Sequence, residues 1–185
     1  MNLSEIKSNA RKAAFLRRRI AFDNAQLSQS ARLSEVLAGF RGVSLAGYLP
    51  IRTEIDPLPA MVEAAVHGEV SVPVIQGKGE PLKFSVWEPD ISLRVGPFGV
   101  QVPLMDVYTV PDLVIVPLVA FDIQGGRLGY GGGFYDRSLE WLKNHKATVA
   151  VGFAFDAQET TDLPLESTDQ RLDMVVTETR VIKIS

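Results

Sequence analysis

Between residues 127 and 137 the sequence reads Arg-Leu-Gly-Tyr-Gly-Gly-Gly-Phe-Tyr-Asp-Arg. Gly129, Gly131, Gly132 and Gly133 sit between a continuous apolar run, Pro111 to Asp122, and a segment whose apolar positions are Leu139, Trp141 and Leu142. The run is rich in Val and Ile, as a strand buried on both faces is, and the later segment reads as a helix. A glycine loop from a strand into a helix N-terminus suits an anion such as phosphate, because backbone N–H groups approach it without a Cβ in the way and the helix dipole favours negative charge. Arg127 and Arg137 flank the glycines and could neutralise phosphate oxygens. Asp136 is an acid in the same place. A carboxylate beside phosphates repels them unless a cation intervenes, so Asp136 points to Mg²⁺. Two plainer readings stand beside these: a tight turn, and an Asp136–Arg137 surface pair in the first helical turn. No Gly-Lys-Ser/Thr follows the glycines, so the loop is not a Walker A motif, and Phe134 stands where a dinucleotide fingerprint needs its third glycine.

The elements that must position this loop follow from periodicity. Residues 2–22 read as a helix, capped by Asn2 with Glu5 as capping-box partner. Leu3, Ile6, Ala10, Ala13, Leu16 and Ile20 form its apolar stripe, which should face the core. Lys7, Arg11 and Arg18 share another face, which on pattern alone is solvated. A second helix is expected from Ser28 to Ala38, stopping at Gly39, and a strand from Val43 to Leu49. Asp56 and Pro57 should cap and start a helix through Val66. Glu54 then lies just past a strand's C-terminal end, where ligands of open α/β sheets gather; it is either a ligand-binding acid or a solvated, idle one. Further strands are expected at Val70–Ile75, at Leu82–Trp87 with edge-like alternation, and at 148–154, 172–178 and 181–184. Phe98, in the irregular Pro97–Val100 segment, and Trp87 read as core or loop-anchoring aromatics. Asp173 opens its strand and is unremarkable by pattern. The order of elements predicts a single-domain α/β/α sandwich over residues 1–185, three layers with a mostly parallel sheet and an irregular antiparallel patch near residues 80–100.

Composition narrows the function classes. The 185 residues carry a net charge of −3, which argues against a nucleic-acid binder. With no cysteine, disulfides and thiolate chemistry are excluded. Residues 1–25 lack the apolar core of a signal peptide, and no apolar run reaches the roughly 20 residues of a membrane span. A soluble, cytoplasmic monomer without membrane association is expected.

The residues quoted so far carry a resemblance. Val-Pro-Leu-Val-Ala-Phe-Asp at 116–122 followed by the glycine stretch at 127–137 resembles the signature of the 5-formyltetrahydrofolate cyclo-ligase (5,10-methenyltetrahydrofolate synthetase) family. Lys7 and Arg11 match a Lys-x-x-x-Arg element, and Tyr48 to Asp56 a Tyr-Leu-Pro-x-x-x-Glu-x-Asp element. The resemblance implies a fold shared with sugar-phosphate isomerases and CoA transferases. It implies that ATP, a co-substrate, is bound by Lys7, Arg11, Arg127, Leu128, Gly129, Tyr130, Gly131, Gly132, Gly133, Phe134 and Tyr135. It gives the folate to Leu49, Glu54, Phe98 and Tyr135, catalytic roles to Arg127 and Tyr135, and Mg²⁺ to Asp136 and Asp173. Relatives often carry Glu-Pro-His-Asp where this chain has Glu166-Ser-Thr-Asp169, so no histidine role is assigned, nor is one given to His67 or His145. The implied reaction joins 5-formyltetrahydrofolate and ATP to give 5,10-methenyltetrahydrofolate, ADP and phosphate. A small-molecule kinase and a non-catalytic phosphometabolite-binding domain remain the alternatives.

Overall fold

The structure is a computed structural model that describes residues 3–185. The expected cap Asn2 lies outside the described residues. In chain order the elements are α1 (Leu3–Asp23), α2 (Ala31–Leu37), β1 (Leu45–Ala46), α3 (Leu58–Ala65), β2 (Val70–Val74), β3 (Lys83–Val86), β4 (Leu93–Val95), β5 (Gln101–Pro103), β6 (Tyr108–Thr109), β7 (Leu113–Pro117), β8 (Ala120–Phe121), β9 (Arg127–Leu128), α4 (Phe134–His145), β10 (Val149–Phe153), β11 (Met174–Val176) and β12 (Val181–Lys183). The main sheet runs β12-β11-β10-β7-β1-β2-β3-β6. Its centre, from β11 to β2, is parallel. At the margins β3 and β12 run antiparallel to the centre, β6 pairs antiparallel with β3, and β4–β5 is a separate hairpin. The expected mostly parallel sheet with an antiparallel patch near residues 80–100 is therefore present. Among the described residues no helix is long and apolar enough to cross a membrane.

The period of two in the strands builds two cores. Leu45, Leu113, Ile115, Val151 and Phe153 point to one face, where Leu33 and Leu37 of α2 and Met61 of α3 cover them. Ala46, Val114, Val116 and Ala150 point to the other, covered by Leu139 and Leu142 of α4. Helices thus flank both sides of the sheet. Each large side chain so buried contributes about 1.5–3 kcal/mol, which is why the central strands read as unbroken apolar runs.

Several boundaries differ from the sequence reading. The apolar run at 111–122 is not one strand. It divides after Pro117, because the carbonyls of Leu118 and Val119 turn out of the ladder to the buried Gln158 amide, at 2.8 and 3.1 Å, and Ala120–Phe121 pairs instead with Arg127–Leu128. The second helix begins at Ala31 and tightens into a 3₁₀ turn at Ala38–Phe40. Helix α3 starts one residue later than expected, at Leu58 with Pro57 in the cap position, while Asp56 Oδ1 still accepts the Leu58 N–H at 2.9 Å. Trp87 is a core residue, whereas Phe98 is 74% exposed, so the core reading holds for one aromatic and fails for the other.

The largest correction concerns α1. Most of its expected core stripe faces outward: Leu16 is 65% exposed and Ile20 57%, with Leu3, Ile6 and Ala13 also exposed, while Ala10 turns inward. The face turned inward carries Lys7, Ala10, Arg11, Ala14, Phe15 and Arg18. Ala14 packs on Val119, Ala120 and Leu128, and small Ala10 and Ala14 let the helix lie close over the β8–β9 ribbon. Arg18 is 1% exposed. The helix turned its polar face in because that face meets carbonyls, hydroxyls and a cleft rather than an oily surface.

Urea denaturation tests this orientation. Leu16→Ala on the outward face should change stability by no more than about 0.5 kcal/mol. Ala14→Leu, on the inward face, should cost about 1–3 kcal/mol through overpacking, and Ile115→Ala in β7 about 2–5 kcal/mol. A large loss for Leu16→Ala with none for Ala14→Leu would reverse the assignment of faces.

Candidate functional site

The parallel strands end together, and a cleft of about 850 Å³ opens over their C-terminal ends. Tyr48 and Leu49 after β1, Ile75 after β2 and Pro117 at the end of β7 form part of its floor. The first turns of α1 supply Lys7 and Arg11, and the segment between β4 and β5 supplies Phe98. The loop from β9 to α4 forms one wall, with Leu128, Gly129, Tyr130, Gly131, Gly132, Gly133, Phe134 and Tyr135 lining the cleft.

That wall presents an uncapped helix start and two arginines to the cleft. Helix α4 starts at Phe134 with Gly133 as its N-cap, in the left-handed region at φ 66° and with no side chain capping the turn. The first N–H groups of α4 are therefore left without a capping side chain. Gly131 adopts φ 101°, and a Cβ there would lie 3.2 Å from the Arg11 guanidinium. Glycine is needed at that point for conformation and for close approach. Arg11 Nε donates to the Gly129 carbonyl at 2.8 Å, and Arg137 Nη2 to the Gly132 carbonyl at 2.8 Å. The arginines thus brace the loop's carbonyls and bring positive charge to it.

Arg127 is buried and donates to Asp136 Oδ1 at 2.5 Å and to the Gln170 carbonyl. Burial lowers its proton affinity and the Asp136 carboxylate opposes that. Gln170 N–H donates to the same Oδ1 at 2.9 Å. The Asp136–Arg137 surface pair, the plainer alternative, does not form: Asp136 pairs with Arg127, because the loop folds β9 back against the first turn of α4. Lys7 Nζ lies 2.6 Å from Glu166 Oε2 and 3.1 Å from Asp169 Oδ2. Burial disfavours its charge, but these two carboxylates outweigh that and hold the ammonium above its ordinary pKa.

At the other end, Glu54 is only 5% exposed. Its Oε2 accepts the Ile51 N–H at 2.8 Å. Burial pushes its pKa up, while the Ile51 N–H, Arg18, Tyr130 and Arg52 favour the charged form. Glu54 is thus neither solvated nor idle. Tyr130 is raised to about 12, chiefly by burial and then by Glu54. Tyr135 is also raised, by burial and then by Glu54, against the pull of Arg127.

The sequence matches the 5-formyltetrahydrofolate cyclo-ligase family over residues 4–178. The chain belongs to that family. It is 37% identical over 145 residues to the 5-formyltetrahydrofolate cyclo-ligase of Escherichia coli K12, covering 75% of this chain and 79% of that one. The Haemophilus influenzae cyclo-ligase is 41% identical over 93 residues, 48% of this chain and 49% of that one. The structure of Aquifex aeolicus 5,10-methenyltetrahydrofolate synthetase superimposes with a TM-score of 0.73 at 30% identity, covering 97% of this chain and 93% of that one. A synthetase from Mycoplasma pneumoniae shares the fold, with a TM-score of 0.70 at 21% identity over 93% of this chain and 98% of that one.

Set against this cyclo-ligase cleft, the residues expected for ATP and folate come together, Lys7, Arg11, Leu49, Glu54 and Phe98 included, and Asp136 lies with them. Asp173 does not. It precedes β11 at the opposite, N-terminal end of the parallel sheet, where its Oδ2 accepts the Ala150 N–H at 2.8 Å and pairs with Lys143 at 3.3 Å. Its place there follows from the chain direction of β11, which enters the sheet beside β10. Sequence reasoning missed Arg18, whose guanidinium reaches Thr53 Oγ1 at 3.0 Å and the Tyr130 hydroxyl at 2.7 Å. Its shared face with Lys7 and Arg11 was the available signal. It also missed Glu166 and Asp169 as partners of Lys7.

The environment of Glu54 sets a pH test. Its folded pKa lies above the ordinary 4.5, so the stability linked to its protonated form is complete below 4.5 and is lost as pH rises through the folded value. Glu54→Gln should therefore melt higher than the parent at pH 7.5, and the gap should close as pH falls below 4.5. A variant less stable at pH 7.5 and equal at low pH would assign Glu54 a net stabilising charge instead.

Proposed function

We propose that this protein catalyses the ATP-dependent cyclisation of 5-formyltetrahydrofolate to 5,10-methenyltetrahydrofolate, with release of ADP and phosphate. The observation that carries the reading is that one cleft joins a glycine loop ringed by cations to the buried Glu54 carboxyl group. The N5-formyl group is an amide, with a weakly electrophilic carbon and a poor leaving oxygen. Its oxygen attacks the γ-phosphorus of ATP and the bond to ADP breaks. The formyl carbon becomes iminium-like. N10 then attacks that carbon and gives up its proton, and the C–O bond breaks with its electron pair leaving on phosphate. The formyl oxygen ends in the released phosphate.

No protein nucleophile is needed, so the chain's task is positioning and charge neutralisation. Gly129 to Gly133 and the N-terminus of α4 hold phosphate oxygens through backbone N–H groups. Arg11 and Arg127 offset their charge, and Lys7 does so once its ammonium exchanges Glu166 and Asp169 for phosphate. Glu54 anchors the folate, with Leu49 and Phe98 as its apolar neighbours. Tyr135, whose proton is held tightly by burial, is a neutral hydrogen-bond donor where the two ligands meet.

Mg²⁺ fits this site as a companion of the nucleotide. Among the described residues no cluster of acidic or histidine side chains could cage a metal alone, and Mg²⁺ is commonly held by one or two carboxylates with phosphate oxygens completing its shell. Asp136 is the residue to hold it, and the cation supplies charge neutralisation at the phosphates.

With MgATP, the purified protein should convert 5-formyltetrahydrofolate to a product with a new near-ultraviolet band, one ADP per methenyl group formed. ADP release with a stable phosphorylated folate would make it a kinase instead. Asp136→Asn should lower turnover by at least about tenfold and shift half-saturation to higher Mg²⁺. Lower turnover with an unchanged Mg²⁺ curve would limit Asp136 to orienting Arg127.

A further inference from the structure

Among the described residues, Arg52 and Phe98 are the non-glycine residues with positive φ, at 56° and 59°. Both border the cleft. A left-handed backbone at a residue with a Cβ is strained and persists where the surroundings enforce it, often at functional sites. Arg52 lies two residues before Glu54 and is exposed at the cleft. Its guanidinium rests 5.5 Å from the centre of the Tyr130 ring, which also lies 5.3 Å from the guanidinium of Arg18. Tyr130 is itself part of the glycine loop. Arg52 therefore stands between the folate anchor and the phosphate-binding wall.

The other cations at the cleft are engaged. Lys7 is held by two carboxylates, Arg11 by the Gly129 carbonyl, Arg127 by Asp136 and Gln170, and Arg137 by the Gly132 carbonyl. Among the described residues Arg52 has neither a hydrogen bond nor an ion pair; it rests on the Tyr130 ring and lies near enough to Glu54 to favour that carboxylate's charged form. A guanidinium presents a planar fork of donors suited to phosphate oxygens, and an aromatic face can carry it without consuming those donors.

We propose that Arg52 is a catalytic residue that binds the phosphoryl group in transfer from ATP to the formyl oxygen. The inference rests on the reaction proposed above. Its place beside Tyr130 brings a guanidinium with unspent donors from the folate side toward the glycine loop and the γ-phosphate it would hold. Charge shifts at that moment from the β–γ bridge to ADP and to the phosphorylated formyl oxygen, and a donor fork fixed there stabilises the transition state more than either ground state.

Arg52→Gly and Arg52→Lys test this. Glycine adopts the left-handed backbone freely, so Arg52→Gly should fold and melt at or above the parent temperature. Its kcat should nevertheless fall about a hundredfold or more, with KM for ATP and for the folate within about threefold of the parent. Arg52→Lys should retain an intermediate kcat. In calorimetry with 5-formyltetrahydrofolate present, Arg52→Gly should weaken binding of MgADP–aluminium fluoride, a mimic of the transferring phosphoryl group, at least tenfold while leaving MgADP alone unaffected. This second measurement needs no turnover, so it separates a wrong role for Arg52 from a wrong overall reaction. A kcat within twofold of the parent, or equal affinity for the mimic, would overturn the proposal. So would a tenfold higher folate KM at unchanged kcat, which would place Arg52 on the substrate's carboxylates.

Discussion

A guanidinium buried at 1% exposure has to find partners for its donors, and Arg18 finds them on three different parts of the chain. It donates to Thr53 in the segment before α3, to the Leu118 carbonyl where the central strand run breaks, and to the Tyr130 hydroxyl in the glycine loop. Its guanidinium also lies over the rings of Phe15 and Tyr130. Burying an unpartnered charge costs several kcal/mol, so these contacts are mutually required. They fix how α1 is rotated, where the β7–β8 break lies and how the glycine loop stands relative to Glu54. With α1 so turned, Lys7 and Arg11 follow at earlier positions on the same face and reach the cleft.

The site is assembled from charges that the fold holds at some cost. Glu54 is kept in a buried place that favours its protonated form. Lys7 rests on two carboxylates, those of Glu166 and Asp169. Arg127 is nearly buried and depends on Asp136 and the Gln170 carbonyl. Such groups are expensive in isolation and become useful once a ligand's charges complete them. The hydrophobic energy that supports them comes from the two sheet faces, where alternate residues of β1, β7 and β10 serve opposite cores. The parallel direction of these strands brings their C-terminal ends to one edge, so the loops that leave them meet.

Much of this was legible in the sequence. The glycine stretch, its flanking arginines, Asp136 and the position of Glu54 past a strand end are local patterns, and local patterns have local physical meanings. The parallel centre of the sheet was legible for the same reason: strands buried on both faces are uniformly apolar. The orientation of α1 was not. Its sequence offers an apolar stripe and a basic one, and periodicity says only that they lie on different sides. The apolar stripe was the natural candidate for the core, yet Leu16 and Ile20 face outward.

The element types, the glycine loop and the family signature could be read from the chain alone, because each depends on residues close together in it. Which charges become partners was settled only by the packing of distant segments. Asp136 belongs to Arg127 rather than to its neighbour Arg137, Lys7 meets Glu166 and Asp169 across the whole chain, and Asp173 stays at the far end of the sheet. Electrostatic interactions act through space with strengths set by distance and burial, and neither quantity exists until the strands have been ordered and α1 has been laid across their ends.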